Sequence, residues 1–382
     1  MGEARTGGEA ALSGVTAELD AALRHAAAQA PGSAAFAELL DSLHVHVGAG
    51  KLIRPRLVEL GWRLATADPV PPSGRAAVDR LGAAFELLHT ALLVHDDVID
   101  RDVLRRGQPA VHASARHRLE ARGVPAADAA HAGVAVALIA GDVLLTQAFR
   151  LAATCAADTA RAAEAAAVVF DAAAVTAAGE LEDVLLGLSR HTGEEPDPDR
   201  ILAMQRLKTA HYTVGAPLRA GALLAGADPD LARAMGEAGA DLGAAYQVID
   251  DVLGVFGDPG ETGKSADGDL REGKATVLTA HGRRIPAVRA LLDAGPATPR
   301  GHRGRPPRPR GGRCPGARPR RRRRAHRPRP RAHRGPAPGR DGPGGVRRRL
   351  PRRADPEVLR WPRPPRALPR CTRGRPTPQR PR

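Results

Sequence analysis

Four aspartates crowd the stretch LLVHDDVIDRDVLRRGQP, residues 92–109: Asp96, Asp97, Asp100 and Asp102, followed at once by Arg105 and Arg106. Upstream, Phe85, Leu88, Leu92 and Val94 recur at helical spacing, so the aspartates are expected on a helix. Asp96 and Asp100 are four residues apart and Asp97 and Asp100 three, which places them on one face. Like charges at that spacing destabilise a helix, so something must compensate. Two readings stand open. One is a solvated acidic surface; the other is a site for Mg²⁺, a hard cation that takes carboxylate oxygens and shares its other positions with water and phosphates. The arginine pair suits the second, because guanidinium forks match phosphate oxygens.

A second pair, Asp250 and Asp251, lies in YQVIDDVLGVFGDPGETGKSADGDLREGK, residues 246–274. Val248, Ile249, Val252, Leu253 and Val255 frame it on an expected helix, with Gln247 three and four residues before it on the same face. Two carboxylate clusters on two helices could clamp metal ions around a diphosphate. Lysine is the rarer cation here: Lys51, Lys208, Lys264 and Lys274 stand against 54 arginines. Such a bias suggests that lysine was kept where a flexible ammonium is needed, the alternative being four scattered surface lysines.

The elements that must position these side chains are helical. Residues from about 10 to about 290 are rich in Ala and Leu with long helical periodicities, interrupted at 67–74, 192–199, 226–230 and 257–263. Segments 17–30, 83–100, 126–156, 160–188 and 198–226 each read as helix, and no strand is expected. The expected class is therefore an all-α bundle with its site on facing helices. Cys155, Cys314 and Cys371 show no pairing or zinc spacing. The N-terminus does not read as a signal peptide, and the most apolar stretch, near residue 140, is interrupted by Asp142. A cytoplasmic soluble protein without stable membrane insertion is the expectation.

Charge divides the chain. Residues 300–382 hold 30 Arg, no Lys and three acids, a net +27, while the remaining 299 residues carry −11. The tail has no periodicity and cannot bury a core, so it is expected to be disordered and Arg/Pro/Gly-rich. This sets the domains at 1–292 and 293–382. A GC-rich gene read out of frame yields this composition, so the tail is expected to be a frameshift product beginning near 293–300.

From about residue 15 to 290 the chain resembles a trans-isoprenyl diphosphate synthase of the polyprenyl synthetase family. GAGKLIRPRL resembles the family's GGKxxRP element, with Ala49 where the second Gly is usual. ELLHTALLVHDDVID…LRRG, KTAHYT and YQVIDDVLGVFGD…GK resemble its first aspartate-rich region, its Lys-Thr element and its second aspartate-rich region. Three departures stand out: Gly254 where many members have a third Asp, Glu180 where Gln is common, and Asp267 and Gly268 in exchanged order.

The resemblance implies an isoprenoid-synthase-type bundle with a central cavity and two diphosphate pockets. Lys51, Arg54, His89 and Arg106 would hold isopentenyl diphosphate without metal. Arg105, Lys208, Thr209, Gln247, Lys264 and Lys274 would hold the allylic diphosphate, bridged through Mg²⁺ to Asp96, Asp97 and Asp100, with Asp250 and Asp251 as ligands from the other side. It also implies a homodimer. Ionisation of the allylic C–O bond, alkylation of the isopentenyl double bond and loss of a proton to pyrophosphate would complete one extension. Ala91 and Leu92 stand where shorter-chain relatives carry an aromatic. Phe85, eleven residues before Asp96 and about 16 Å away along the axis, then suggests a geranylgeranyl product. A class I terpene synthase is the nearer alternative, but it leaves Lys51, Arg54 and Arg106 unexplained. A nucleic-acid binder acting through the tail is the other; only Trp361 is available there for stacking, so no specific nucleic acid is expected.

Overall fold

Pro72 opens the helix that organises the molecule, its fixed φ suited to a first helical position. The computed structural model describes residues 3–188, 197–257 and 275–293, all within one unit spanning Met1–Arg305. Its first helices are α1 (Glu3–Gln29), α2 (Ala34–Leu43), α3 (Ile53–Thr66) and α4 (Pro72–Ile99). A two-stranded ribbon, β1 (Leu104–Arg105) and β2 (Gln108–Pro109), leads into α5 (Val111–Ala121), α6 (Ala126–Ala153) and α7 (Thr159–Gly187). Then come α8 (Pro198–Gln205), a π-helical segment (Arg206–Gly215), α9 (Ala216–Ala225), α10 (Pro229–Phe256), α11 (Val277–Arg283) and α12 (Pro286–Asp293).

The all-helical expectation holds for the described residues, and the boundaries have local causes. Gly226 ends α9 at φ +89, Asp228 caps α10 by accepting from Asp230 N and Leu231 N, and Pro229 starts it. Asp158 caps α7 in the same way, and Thr276 forms a capping box with Thr279 ahead of α11.

Two expectations are corrected. Residues 198–226 do not form one helix: the middle ten residues take i→i+5 bonding, and Ala216 N donates to His211 O. Pro217 supplies the reason, because it has no N–H for the carbonyl four residues back and its ring crowds that carbonyl. The expectation of no strand also fails. Arg106 at φ +52 and Gly107 at φ +75 form a two-residue turn with both central residues left-handed, the geometry that closes a hairpin. Leu104 pairs with Pro109 and Arg105 with Gln108.

Helix α4 packs against α6, α3 and α1; α9 packs on α3; the π segment lies between α7 and α10. The core along α4 runs through Leu81, Ala84, Phe85, Leu88 and Ala91, all fully buried. The crossing of α3 and α9 is close enough that a methyl on Gly61 would overlap Leu218 O, and one on Gly221 would overlap Val58 O. By length and composition α6 and α7 are apolar enough to cross a membrane. Asp142 does not prevent this, as a single charge hardly lowers the mean hydropathy. In the fold, Ala137, Ala140 and Leu144 of α6 are buried in the core.

Candidate active site

The last turn of α4 delivers Asp96, and Asp100 caps the same helix with its N–H donating to Asp96 O at 2.8 Å. Glu180 reaches them from α7. One ligand oxygen each from Asp96, Asp100 and Glu180 lies within 4.8 Å of the others. Lys208, on the π segment, places Nζ 3.2 Å from Asp96 Oδ1, 3.0 Å from Glu180 Oε2 and 2.6 Å from Asp183 Oδ2. Burial alone would lower the Lys208 pKa; Asp96, Asp183 and Glu180 outweigh it and hold the ammonium above the ordinary lysine range. Glu180 is pushed up by burial, against the lowering effect of Lys208. Gly179 allows this approach, since any side-chain carbon there would overlap the Lys208 backbone nitrogen.

Asp97 stands apart from this group. It is buried and accepts from Arg105 Nε at 2.6 Å, while Arg105 also meets Asp96 Oδ2 at 3.2 Å and Asp102 Oδ2 at 3.5 Å. Burial raises Asp97 to about 6 against the pull of Arg105, with Asp96 and Asp102 adding to the rise. Both arginines are thus aimed by the hairpin: Arg105 back onto the aspartates, and Arg106 towards the loop before α3. A methyl on Gly50 would sit 3.1 Å from an Arg106 terminal nitrogen. A cavity of about 160 Å³ lies here, lined by His46, Ala49, Thr90, Asp97, Arg105 and Arg106 among others.

A cationic corner adjoins it. Left-handed Leu52, at φ +48, turns the chain into α3 and leaves Lys51 exposed and Arg54 buried. Arg54 donates to Thr213 Oγ1 at 3.1 Å and to Tyr212 Oη at 3.4 Å, with its guanidinium carbon 4.9 Å from the Tyr212 ring centre and Glu86 at 3.9 Å. His89 Nδ1 lies 3.2 Å from the same Tyr212 hydroxyl. Burial first, then Arg54, Arg106 and Arg105, hold His89 well below its ordinary value, so the ring is neutral. Burial raises Glu86 against Arg54 and Arg106.

On α10, buried Asp251 accepts from Gln247 Nε2 at 3.0 Å and from Gln205 Nε2 at 2.5 Å. Asp250 is half-buried on the same helix, and neither aspartate belongs to the Asp96 group. Thr209 is half-buried beside Lys208. Lys264 and Lys274, and the tail beyond Asp293, lie outside the described residues. Phe85 and Ala91 are fully buried core residues, while Leu92 is half-buried one turn before Asp96.

Sequence reasoning passed over Asp183, Gln205, Tyr212 and Glu86, and treated Glu180 only as a departure. For Glu180 and Asp183 a signal existed, since two acids three apart share one face of a helix rich in Ala, Val and Leu.

The donor set fits a divalent metal ion. Carboxylate oxygens are the hard ligands that magnesium takes; Glu180 Oε1 is buried without accepting a hydrogen bond, while Asp96 Oδ1 is buried facing the Lys208 ammonium at 3.2 Å.

The polyprenyl synthetase family model matches residues 37–294. A geranylfarnesyl diphosphate synthase from Aeropyrum pernix is 34% identical over 260 residues, 66% of this chain and 72% of that protein. A geranylgeranyl diphosphate synthase from Sulfolobus acidocaldarius is 32% identical over 241 residues, 62% of this chain. The chain spans just under two thirds, 64%, of that second relative's length. Among solved structures, a geranylgeranyl pyrophosphate synthase from Corynebacterium glutamicum, complexed with isoprenyl diphosphate and magnesium, superposes with a TM-score of 0.65. It is 32% identical, over 75% of this chain and 81% of that one.

Proposed function

The chain belongs to the polyprenyl synthetase family, and on that premise we propose that it is a magnesium-dependent trans-prenyltransferase condensing isopentenyl diphosphate with allylic diphosphates. The observation that carries this reading is the division of charge around the end of α4. Asp96, Asp100 and Glu180 gather about Lys208 on one side. Arg54, bridged to neutral His89 by Tyr212, forms a cationic corner with Arg106 on the other. Two substrates carrying diphosphates need such a pair of subsites.

Asp96, Asp100 and Glu180 would hold magnesium, which when bound supplies positive charge to the departing pyrophosphate as the allylic C–O bond breaks. Lys208 adds a fixed cation to that side, and Arg105 restrains Asp96 and Asp97. Lys51, Arg54 and Arg106 anchor the isopentenyl diphosphate so that its double bond meets the allylic carbon. The main product is geranylgeranyl diphosphate, on the argument from Ala91, Leu92 and Phe85. The two curated relatives bear names denoting different product lengths, so likeness alone does not choose among them. The enzyme works as a cytoplasmic homodimer without stable membrane insertion or a specific nucleic-acid partner, and the tail beyond 292 is the product of a shifted frame.

Incubation with labelled isopentenyl diphosphate, magnesium and dimethylallyl, geranyl or farnesyl diphosphate tests the activity, with chain length read by thin-layer chromatography after dephosphorylation. Extension of at least one primer is expected. Cyclised or hydrolysed allylic product without incorporation of label would favour the terpene synthase instead. Resequencing the gene tests the tail: the same frame confirmed through residue 382 would remove the frameshift.

A further inference from the structure

We propose that Tyr212 is a positioning residue: its hydroxyl donates to His89 Nδ1, so that His89 keeps its proton on Nε2 and offers it to the isopentenyl diphosphate. The inference deepens the two-pocket reading above and rests on it. Three elements meet at the Tyr212 hydroxyl, which belongs to the π segment on a buried side chain. Arg54 Nη2, from α3, approaches Oη at 3.4 Å, and His89 Nδ1, from α4, lies 3.2 Å from it. The Tyr212 ring is held as well, with the Arg54 guanidinium carbon 4.9 Å and the His89 ring centre 6.0 Å from its own centre.

Donor and acceptor roles follow from the chemistry of the three groups. A guanidinium donates and never accepts, so Oη accepts from Arg54. The hydroxyl hydrogen needs an acceptor of its own, because a buried donor left without one is costly. Among the described residues that acceptor is His89 Nδ1. Were Nδ1 protonated instead, two donors would face one oxygen and the hydroxyl hydrogen would have no partner there. A neutral imidazole carries a single proton, and burial, with Arg54, Arg106 and Arg105, keeps His89 neutral. The proton therefore sits on Nε2, across the ring from Tyr212. An ionised diphosphate offers only acceptors, so Nε2–H attracts it, whereas a lone pair on Nε2 would repel it.

The test reads His89 directly, by long-range proton–nitrogen spectra of the full chain labelled with nitrogen-15 at histidine and recorded without substrate. Loss of signals in His89→Gln identifies those of His89. The parent is expected to show the Nε2–H tautomer, with Nδ1 accepting a hydrogen bond. In Tyr212→Phe the Nδ1 signal should shift as that bond is lost, and the Nδ1–H form should appear. Calorimetric affinity for isopentenyl diphosphate should fall about tenfold, the worth of one hydrogen bond to a charged group, with affinity for farnesyl diphosphate little changed. Phenylalanine keeps a ring beside Arg54, and Thr213 Oγ1 still accepts from Arg54 at 3.1 Å, so the loss traces to His89. A parent with the proton on Nδ1 would overturn the proposal, and that spectrum decides even if the variant does not fold. So would an unchanged His89 spectrum in Tyr212→Phe, or an altered spectrum with undiminished affinity for isopentenyl diphosphate. A parent with the expected tautomer that binds no isopentenyl diphosphate would defeat the two-pocket reading and leave the tautomer assigned to Tyr212.

Discussion

Lys208 and Lys51 show how differently two lysines can be used. Lys208 is held by Asp96, Glu180 and Asp183, whereas Lys51 stands exposed at the entrance to α3. Lys208→Ala would leave three carboxylates facing one another, which should destabilise the fold by on the order of 2 kcal/mol and chiefly weaken the allylic substrate. Lys51→Ala should leave the melting temperature unchanged and chiefly raise the KM for isopentenyl diphosphate. Equal effects of both variants on both substrates would show that the pockets are wrongly divided. His89 offers a pH test. Because its folded pKa is depressed below 6.5, the unfolded chain binds that proton more readily. The contribution of neutral His89 is complete above pH 6.5 and is lost as pH falls through and below that value. The melting temperature of His89→Gln should therefore fall less steeply than the parent's from pH 6.5 towards about pH 5. Parallel curves would acquit His89.

At the scale of elements, the π segment does what an α-helix could not. Its wider turn sets Lys208 towards Asp96 while Tyr212 and Thr213 meet Arg54, so one ten-residue stretch serves both sides of the site. Helix α7 must lie against that stretch backbone to backbone, and Gly179 is the point of contact. Gly179→Ala gains about 1 kcal/mol of helix propensity but forces the two backbones apart, costing about 1–3 kcal/mol. The expected result is a slightly lower melting temperature with a disproportionate loss of kcat, because Lys208 is displaced from Asp96. A variant with unchanged turnover would show that this approach does not position the lysine.

At the scale of the whole molecule, the proposed activity makes product length depend on how far a growing chain can travel along α4. Phe85 is fully buried in the core, so Phe85→Ala should cost about 3–5 kcal/mol while lengthening the product. Ala91 is also fully buried, and Ala91→Phe should shorten the product at an overpacking cost of about 1–3 kcal/mol. Half-buried Leu92 is the cleaner probe, since Leu92→Phe places an aromatic one turn before Asp96 with less strain. Leu92→Phe is expected to shift the product from twenty towards fifteen carbons. An unchanged product from all three variants would move the floor of the cavity to another helix.

The sequence by itself determined the helical class, the ends of α7, α9 and α10, and the order of the charged motifs. These are local matters: periodicity, a capping aspartate, a glycine free to take φ +89 and a proline at a first turn act within a few residues. It did not reveal the π segment, because a change from i→i+4 to i→i+5 bonding depends on what packs beside it and leaves only Pro217 as a trace. Nor did it separate Asp97 from Asp96, adjacent residues of which one is tied to Arg105 and the other also meets Lys208. The gathering of Asp96, Glu180, Asp183 and Lys208 was decided by tertiary structure alone. Charges from three separate elements lower each other's energy only at a few ångströms, and sequence spacing says nothing about such distances until the helices have packed.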